Sequence, residues 1–177
     1  GDPVVGITGG SYGGAAALLT ASQDKRIDAV VADITWNDLS QALFPQSSND
    51  LTEAGPFKKI WTGTFFALAT LQSAYLGECG ALTNEWCAAY KSAVVNGQPS
   101  AAERKLLRSV SPASVISSIK APTLLSQGQA DSLFPLNESS QTAAVLKKNG
   151  VPISMIWHAA GHDGGADEKK YLQEQYS

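Results

Sequence analysis

Ser11 lies in Gly9-Gly10-Ser11-Tyr12-Gly13, a G-x-S-x-G run placed after an apolar β-branched stretch and before a run of small residues. In that setting the turn forces the serine into a strained backbone conformation and lifts its Oγ clear of the sheet. The flanking positions must be nearly side-chain-free, which Gly9 and Gly13 provide, and Gly14 lets the following helix lie close to the strand. The Tyr12 N–H, first after the serine, is the expected oxyanion donor, with the positive end of the helix aimed at the same point. A phosphate-cradling loop fails on spacing, because no G-x-G-x-x-G and no following lysine are present. A purely structural glycine turn is the remaining alternative.

A serine hydroxyl is a weak nucleophile until a base removes its proton. The chain has two histidines, His158 and His162. His162 sits among Gly161 and Asp163-Gly164-Gly165, a loop from which an imidazole can project, whereas His158 at the strand's edge reads as a packed, hydrogen-bonded residue. A metal pair at this spacing would need both on one helix face. Ala159-Ala160-Gly161 after a strand is a poor helix, so neither metal nor cofactor is expected. The base in turn needs an acid that fixes its tautomer and stabilises the imidazolium. Asp131, ending Gly128-Gln129-Ala130-Asp131 after another strand, is the choice. Its rivals are Asp33, Asp38 and Asp163, and its alternative role is a turn cap.

These positions require strands that end side by side. Val4 to Thr8 fits a buried parallel strand with both faces covered, Ile27 to Ile34 reads as a second buried strand, and Thr123 to Gln127 and Ile153 to Trp157 read as a third and a fourth. Ala15 to Ser22, Glu138 to Asn149 (stopped by Gly150) and Asp167 to Gln175 read as helices. Strand–helix–strand order with short links gives a parallel α/β sheet, whose ligand crevice lies outside the carboxyl ends of the strands. Between Trp36 and Pro112 there is no convincing strand. Helices are predicted over Phe57 to Leu76, Trp86 to Asn96, Ala101 to Ser109 and from Ser111-Pro112 through Ile119, with the Phe65-Phe66-Ala67-Leu68-Ala69 patch buried. The organisation predicted is a first core segment (1–39), a helical insertion (40–112) and a second core segment (113–177).

At 177 residues the chain suits one domain. Charged residues make up 16% and the net charge is −3. With no long basic run, and with short clusters such as Lys58-Lys59 and Lys169-Lys170 reading as solvated, no nucleic-acid partner is expected. No apolar run approaches the ~18 residues that span a bilayer, and no signal peptide is visible. The chain opens at Gly1-Asp2-Pro3, which reads as a fragment or a processed product. Cys79 and Cys87, with seven residues between them, allow either two buried thiols or a short-loop disulfide. The disulfide is the expectation; it implies an oxidising compartment and a secreted protein. Asn137-Glu138-Ser139 matches a glycosylation sequon, a triplet that also arises by chance. Trp36, Trp61 and Trp86 suit either an apolar pocket or the core, and Trp36 is the candidate substrate-binding residue.

Val5-Gly-Ile-Thr-Gly-Gly-Ser-Tyr-Gly-Gly14, Ile34-Thr-Trp-Asn-Asp-Leu39 and Ala121-Pro-Thr-Leu-Leu-Ser-Gln-Gly-Gln-Ala-Asp-Ser-Leu-Phe-Pro135 resemble the X-Pro dipeptidyl-peptidase and CocE/NonD group of α/β-hydrolases. The Cys79 to Cys87 stretch resembles a secreted actinobacterial branch. The chain order Ser, Asp, His is that of the fold. The resemblance implies a partial α/β-hydrolase fold, a triad of Ser11, Asp131 and His162, and a helical cap formed by residues from about 40 to 112. It also implies cleavage of peptide, X-Pro among them, or of ester or amide bonds through an acyl-enzyme without metal. In the family several strands precede the nucleophile strand and carry the second oxyanion donor, usually a tyrosine hydroxyl. This chain begins at the nucleophile strand. Either a partner segment supplies the N-terminal strands or the chain is inactive alone. A non-catalytic binding module of the same fold is the alternative reading.

Overall fold

The computed structural model describes residues 3–45, 55–71, 75 and 77–165. Its elements run β1 (Gly6–Gly10), α1 (Tyr12–Gln23), β2 (Ala29–Asp33), α2 (Leu39–Leu43), α3 (Lys59–Thr70), α4 (Asn84–Asn96), α5 (Ala101–Ser109), two 3₁₀ turns (Pro112–Ser114 and Ile116–Ser118), β3 (Thr123–Gly128), α6 (Leu136–Lys148) and β4 (Ile153–His158). The Asp167 to Gln175 helix and the Lys169-Lys170 pair lie outside the described residues.

Four strands pair in parallel in the order β1-β2-β3-β4. The register sets Gly10 beside Asp33, Asp33 beside Ser126, and Gly128 beside His158. All four strands therefore end on one edge of the sheet. The core lies on one face. Ala17, Leu18 and Ala21 of α1 pack with Val30 and Ala32 of β2, Leu125 of β3 and Leu146 of α6, joined by Ile116 and Ile119. Each fully buried Leu or Ile here contributes ~1.5–3 kcal/mol of transfer free energy. Among the described residues the sheet is covered on that face. On the opposite face Gly6, Thr8, Ala29 and Ser154 are exposed, and Val31 and Leu124 are half-buried. α1 packs on β1 and β2 and α6 on β3 and β4, and the two helices share one core.

The chain divides into two compact units, Gly1–Ala42 with Arg108–Ser177, and Leu43–Leu107. Within the second, α3 and α4 meet through the stacked rings of Phe66 and Tyr90, 4.0 Å apart, and Phe44 stacks on Phe57 at 4.8 Å. Thr83 caps α4 by accepting the Trp86 N–H. Cys79 and Cys87 form a disulfide with a Cα separation of 5.7 Å. The Phe65 to Ala69 patch is helical, as expected, but not buried: Phe65 and Leu68 are exposed. A helix turns only part of its circumference to a single partner, and Phe66 occupies that side. Residues 112–118 form two 3₁₀ turns where one helix was predicted. Among the described residues no helix is long and apolar enough to cross a membrane.

Candidate active site

Ser11 has φ 54° and ψ −121°, a region that costs a non-glycine residue on the order of 1–3 kcal/mol. Four hydrogen bonds hold it there. Its N–H donates to the Asp33 carbonyl at 2.9 Å, and its carbonyl accepts the Gly14 and Ala15 N–H groups at 3.0 and 3.2 Å, opening α1. The Thr35 hydroxyl donates to the same carbonyl at 2.8 Å. A Cβ on Gly9 would sit 2.3 Å from the Gly13 carbonyl oxygen, so strand and helix backbones touch at this point. The requirement is one-sided. A Cβ on Gly13 would meet nothing within 4 Å, which corrects the expectation that both flanking glycines are sterically required: only the residue pointing into the turn collides. Gly14 behaves as predicted, with its Cβ position 2.9 Å from the Asp33 carbonyl oxygen and the Thr35 Cβ.

From β4 the chain turns through Gly161 and presents His162. Its Nε2 lies 2.7 Å from Ser11 Oγ and its Nδ1 2.7 Å from Asp131 Oδ2. Asp131 follows β3, and its side chain is fully shielded from solvent while that of His162 is 13% exposed. Its other oxygen, Oδ1, accepts the N–H groups of Leu133 and Phe134 at 2.9 and 2.8 Å. A carboxylate can only accept, so the proton on Nδ1 points to Asp131 and the Nε2 lone pair faces the Ser11 hydroxyl. The structure thus brings Ser11, His162 and Asp131 into one hydrogen-bonded line that can pass a proton. Tyr12 opens α1, with its N–H in the first turn and its ring exposed.

The other acids are engaged elsewhere. Asp33 Oδ1 accepts the Ser126 hydroxyl at 2.5 Å and lies 3.6 Å from His158 Nε2. Asp38 caps Ser40 through Oδ1 and pairs with Arg108 at 3.1 Å. Asp163 binds Ser132 through both oxygens. Trp36 is only 6% exposed; its indole N–H donates to the Val110 carbonyl at 3.3 Å, and its ring lies between Tyr12 (6.2 Å) and Phe134 (5.1 Å). The tryptophan thus meets its neighbours as packed core rather than as an open wall.

Two residues that shape the site were missed from sequence. Phe134 presents its ring to that of His162 at 5.2 Å and 89°, a favourable edge-to-face geometry. Thr35 ties the nucleophile turn to the end of β2. The Ile34 before Thr35 has φ 36°, a β-branched residue in the left-handed region, where strain marks a constrained turn.

A model of the family described as X-Pro dipeptidyl-peptidase (S15 family) matches residues 2–164. A comparison with curated protein sequences finds no match. Among solved structures, this chain resembles acylaminoacyl peptidase of Pyrococcus horikoshii at 19% identity and a TM-score of 0.53, over 92% of this chain and 20% of that one. It resembles Porphyromonas gingivalis dipeptidyl peptidase 4 at 17% identity and a TM-score of 0.54, over 96% of this chain and 18% of that one. A truncated carbohydrate esterase from gut microbiota matches at 16% identity and a TM-score of 0.58, over 97% of this chain and 56% of that one. These likenesses show the α/β-hydrolase fold. The chain spans about a fifth of the length of the peptidases it resembles.

Proposed function

The chain belongs to the X-Pro dipeptidyl-peptidase (S15) family, and from that premise we propose that it carries the nucleophile, base and acid of a serine hydrolase acting on peptide, ester or amide bonds. The reading rests on the two 2.7 Å contacts that join Ser11 to His162 and His162 to Asp131. Ser11 Oγ attacks the carbonyl carbon as its proton passes to His162 Nε2. Asp131 stabilises the imidazolium without taking the proton. The oxyanion of the tetrahedral intermediate accepts the Tyr12 N–H at the positive end of α1. Collapse expels an amine or alcohol, protonated by His162, and leaves an acyl group on Ser11. His162 then deprotonates water, which releases the acid. The X-Pro preference is proposed from the family alone. Trp36 is proposed to act at the substrate by backing the exposed Tyr12 ring, and residues 40–112 as the cap that selects substrate.

A preceding segment is proposed to complete the sheet. In its favour are the place of β1 at the end of the strand order, the half-exposed face beside it and the greater length of the similar peptidases. An unpaired strand edge invites another strand. That segment would supply the second oxyanion donor, worth on the order of a hundredfold or more in rate. The Cys79–Cys87 disulfide supports an extracellular site of action. The test is fluorophosphonate labelling of the chain, alone and joined to a preceding segment, with the adduct mapped by mass spectrometry. Labelling of Ser11, lost in Ser11→Ala and strengthened by the added segment, is the expected result. No adduct in either form returns the chain to a binding role.

A further inference from the structure

Asp131 and His162 arrive on separate loops, one after β3 and one after β4, and their 2.7 Å contact requires those loops to hold a fixed spacing. We propose that Asp163 is the positioning residue that sets it, by clasping Ser132. The Ser132 N–H donates to Asp163 Oδ2 at 2.5 Å, and the Ser132 hydroxyl donates to Asp163 Oδ1 at 2.6 Å. The clasp joins the two residues that directly follow the acid and the histidine. Both its members are exposed, so neither is held in place by burial.

The distribution of N–H groups in the acid loop fits this role. Those of Leu133 and Phe134 turn inward to Asp131 Oδ1, while that of Ser132, between them and the acid, turns outward to Asp163. One short loop thus fixes the Asp131 carboxylate from inside and grips the histidine loop from outside. The two backbones are also in direct apposition. A Cβ on Gly161 would fall 2.6 Å from the Asp131 Cα, and the Gln129 N–H donates to the His158 carbonyl at 2.8 Å. The Asp163 clasp closes the side of His162 away from the β4 end, and removing it loosens the hold of the acid loop on the histidine loop. The charge-assisted bonds to Ser132 hold the Asp163 carboxyl below its ordinary range.

This inference deepens the reading of His162 as base and rests on it for its effect on rate, but it makes a geometric claim that can be read without activity. The probe is the His162 Nδ1–H proton, observed by NMR in the chain and distinguished from His158 with His158→Gln. The variants are Asp163→Ala, Ser132→Ala and the pair together, each checked by thermal melting. A slowly exchanging downfield resonance is expected in the unsubstituted chain. It broadens or is lost in Asp163→Ala and weakens in Ser132→Ala, and the double variant is no worse than Asp163→Ala. Fluorophosphonate labelling falls roughly ten- to hundredfold in Asp163→Ala, the range expected for a displacement near 1 Å. For substrate turnover the loss is in kcat, with KM unchanged. A resonance and labelling rate unchanged by Asp163→Ala in a folded chain would overturn the proposal. Labelling absent from every form, with the resonance still responding to Asp163→Ala, would defeat the hydrolase reading and leave the clasp standing.

Discussion

Replacing Asp131 by Asn tests the direction of the proton line with almost no change in shape. In the folded chain Asp131 Oδ1 accepts two backbone N–H groups, from Leu133 at 2.9 Å and Phe134 at 2.8 Å. An asparagine must present its amide oxygen to those donors, because an NH₂ group there would face two hydrogens. Its NH₂ then takes the place of Oδ2, 2.7 Å from His162 Nδ1, and donates where the carboxylate accepted. Nδ1 becomes an acceptor and the ring proton moves to Nε2, which now points a hydrogen at Ser11 Oγ instead of a lone pair. The base is lost while the packing remains. A wrong tautomer of this kind costs ~10⁴ in kcat, four decades or roughly 5 kcal/mol of transition-state stabilisation. The assay is turnover of an activated ester by Asp131→Asn, with thermal melting to show that the fold is retained. Asp33→Asn serves as the comparison, since its carboxylate is bound to Ser126, and it should lose less than tenfold. Asp131→Asn within tenfold of the unsubstituted protein, or a heavier loss in Asp33→Asn, refutes the assignment of the acid.

Three further outcomes follow from the geometry. Gly9→Ala forces a Cβ to 2.3 Å from the Gly13 carbonyl and should cost about 3 kcal/mol, or roughly 6–12 °C in Tm, whereas Gly13→Ala, facing open space, should shift Tm by no more than a few degrees. Reducing Cys79–Cys87, which closes a loop of nine residues (separation 8, ends included), should lower stability by about 2–3 kcal/mol, read by denaturant unfolding with and without reductant. Hydrogen bonds from Ser132 lower the Asp163 pKa; the stability they add is present above the ordinary aspartate value and is lost as pH falls through the lowered one. The Tm gap between the unsubstituted chain and Asp163→Ala should therefore be steady near neutrality and close below about pH 4.

How far the sequence disclosed this arrangement depended on whether the information was local. The strand–turn–helix around Ser11 was legible because the glycines and the β-branched run before them are adjacent in sequence. Its boundaries were not. β1 was read as ending at Thr8 but continues through Gly9 and Gly10, since pairing with Ala32 and Asp33 supplies what glycine's weak strand preference withholds. For the same reason α1 starts at Tyr12 instead of Ala15, with the Ser11 carbonyl collecting the first helical N–H groups. The parallel sheet could be inferred from alternating strands and helices, and with it the common edge where Ser11, Asp131 and His162 come together. The Ser132–Asp163 clasp and the Phe134 ring against His162 join residues about thirty positions apart, and no spacing rule reports such pairs. The exposure of Phe65 and Leu68 was equally out of reach, because an apolar run fixes the helix but not what packs on it.

The central claim, that Ser11 carries the acyl group, is open to one direct measurement: rapid quenching of the reaction with an activated ester in the form completed by a preceding segment, followed by peptide mapping. The account predicts a burst of one equivalent of leaving group and an acyl mass on the Ser11 peptide, both abolished in Ser11→Ala. Hydrolysis that proceeds with that peptide unmodified, or a burst that survives Ser11→Ala, would contradict it.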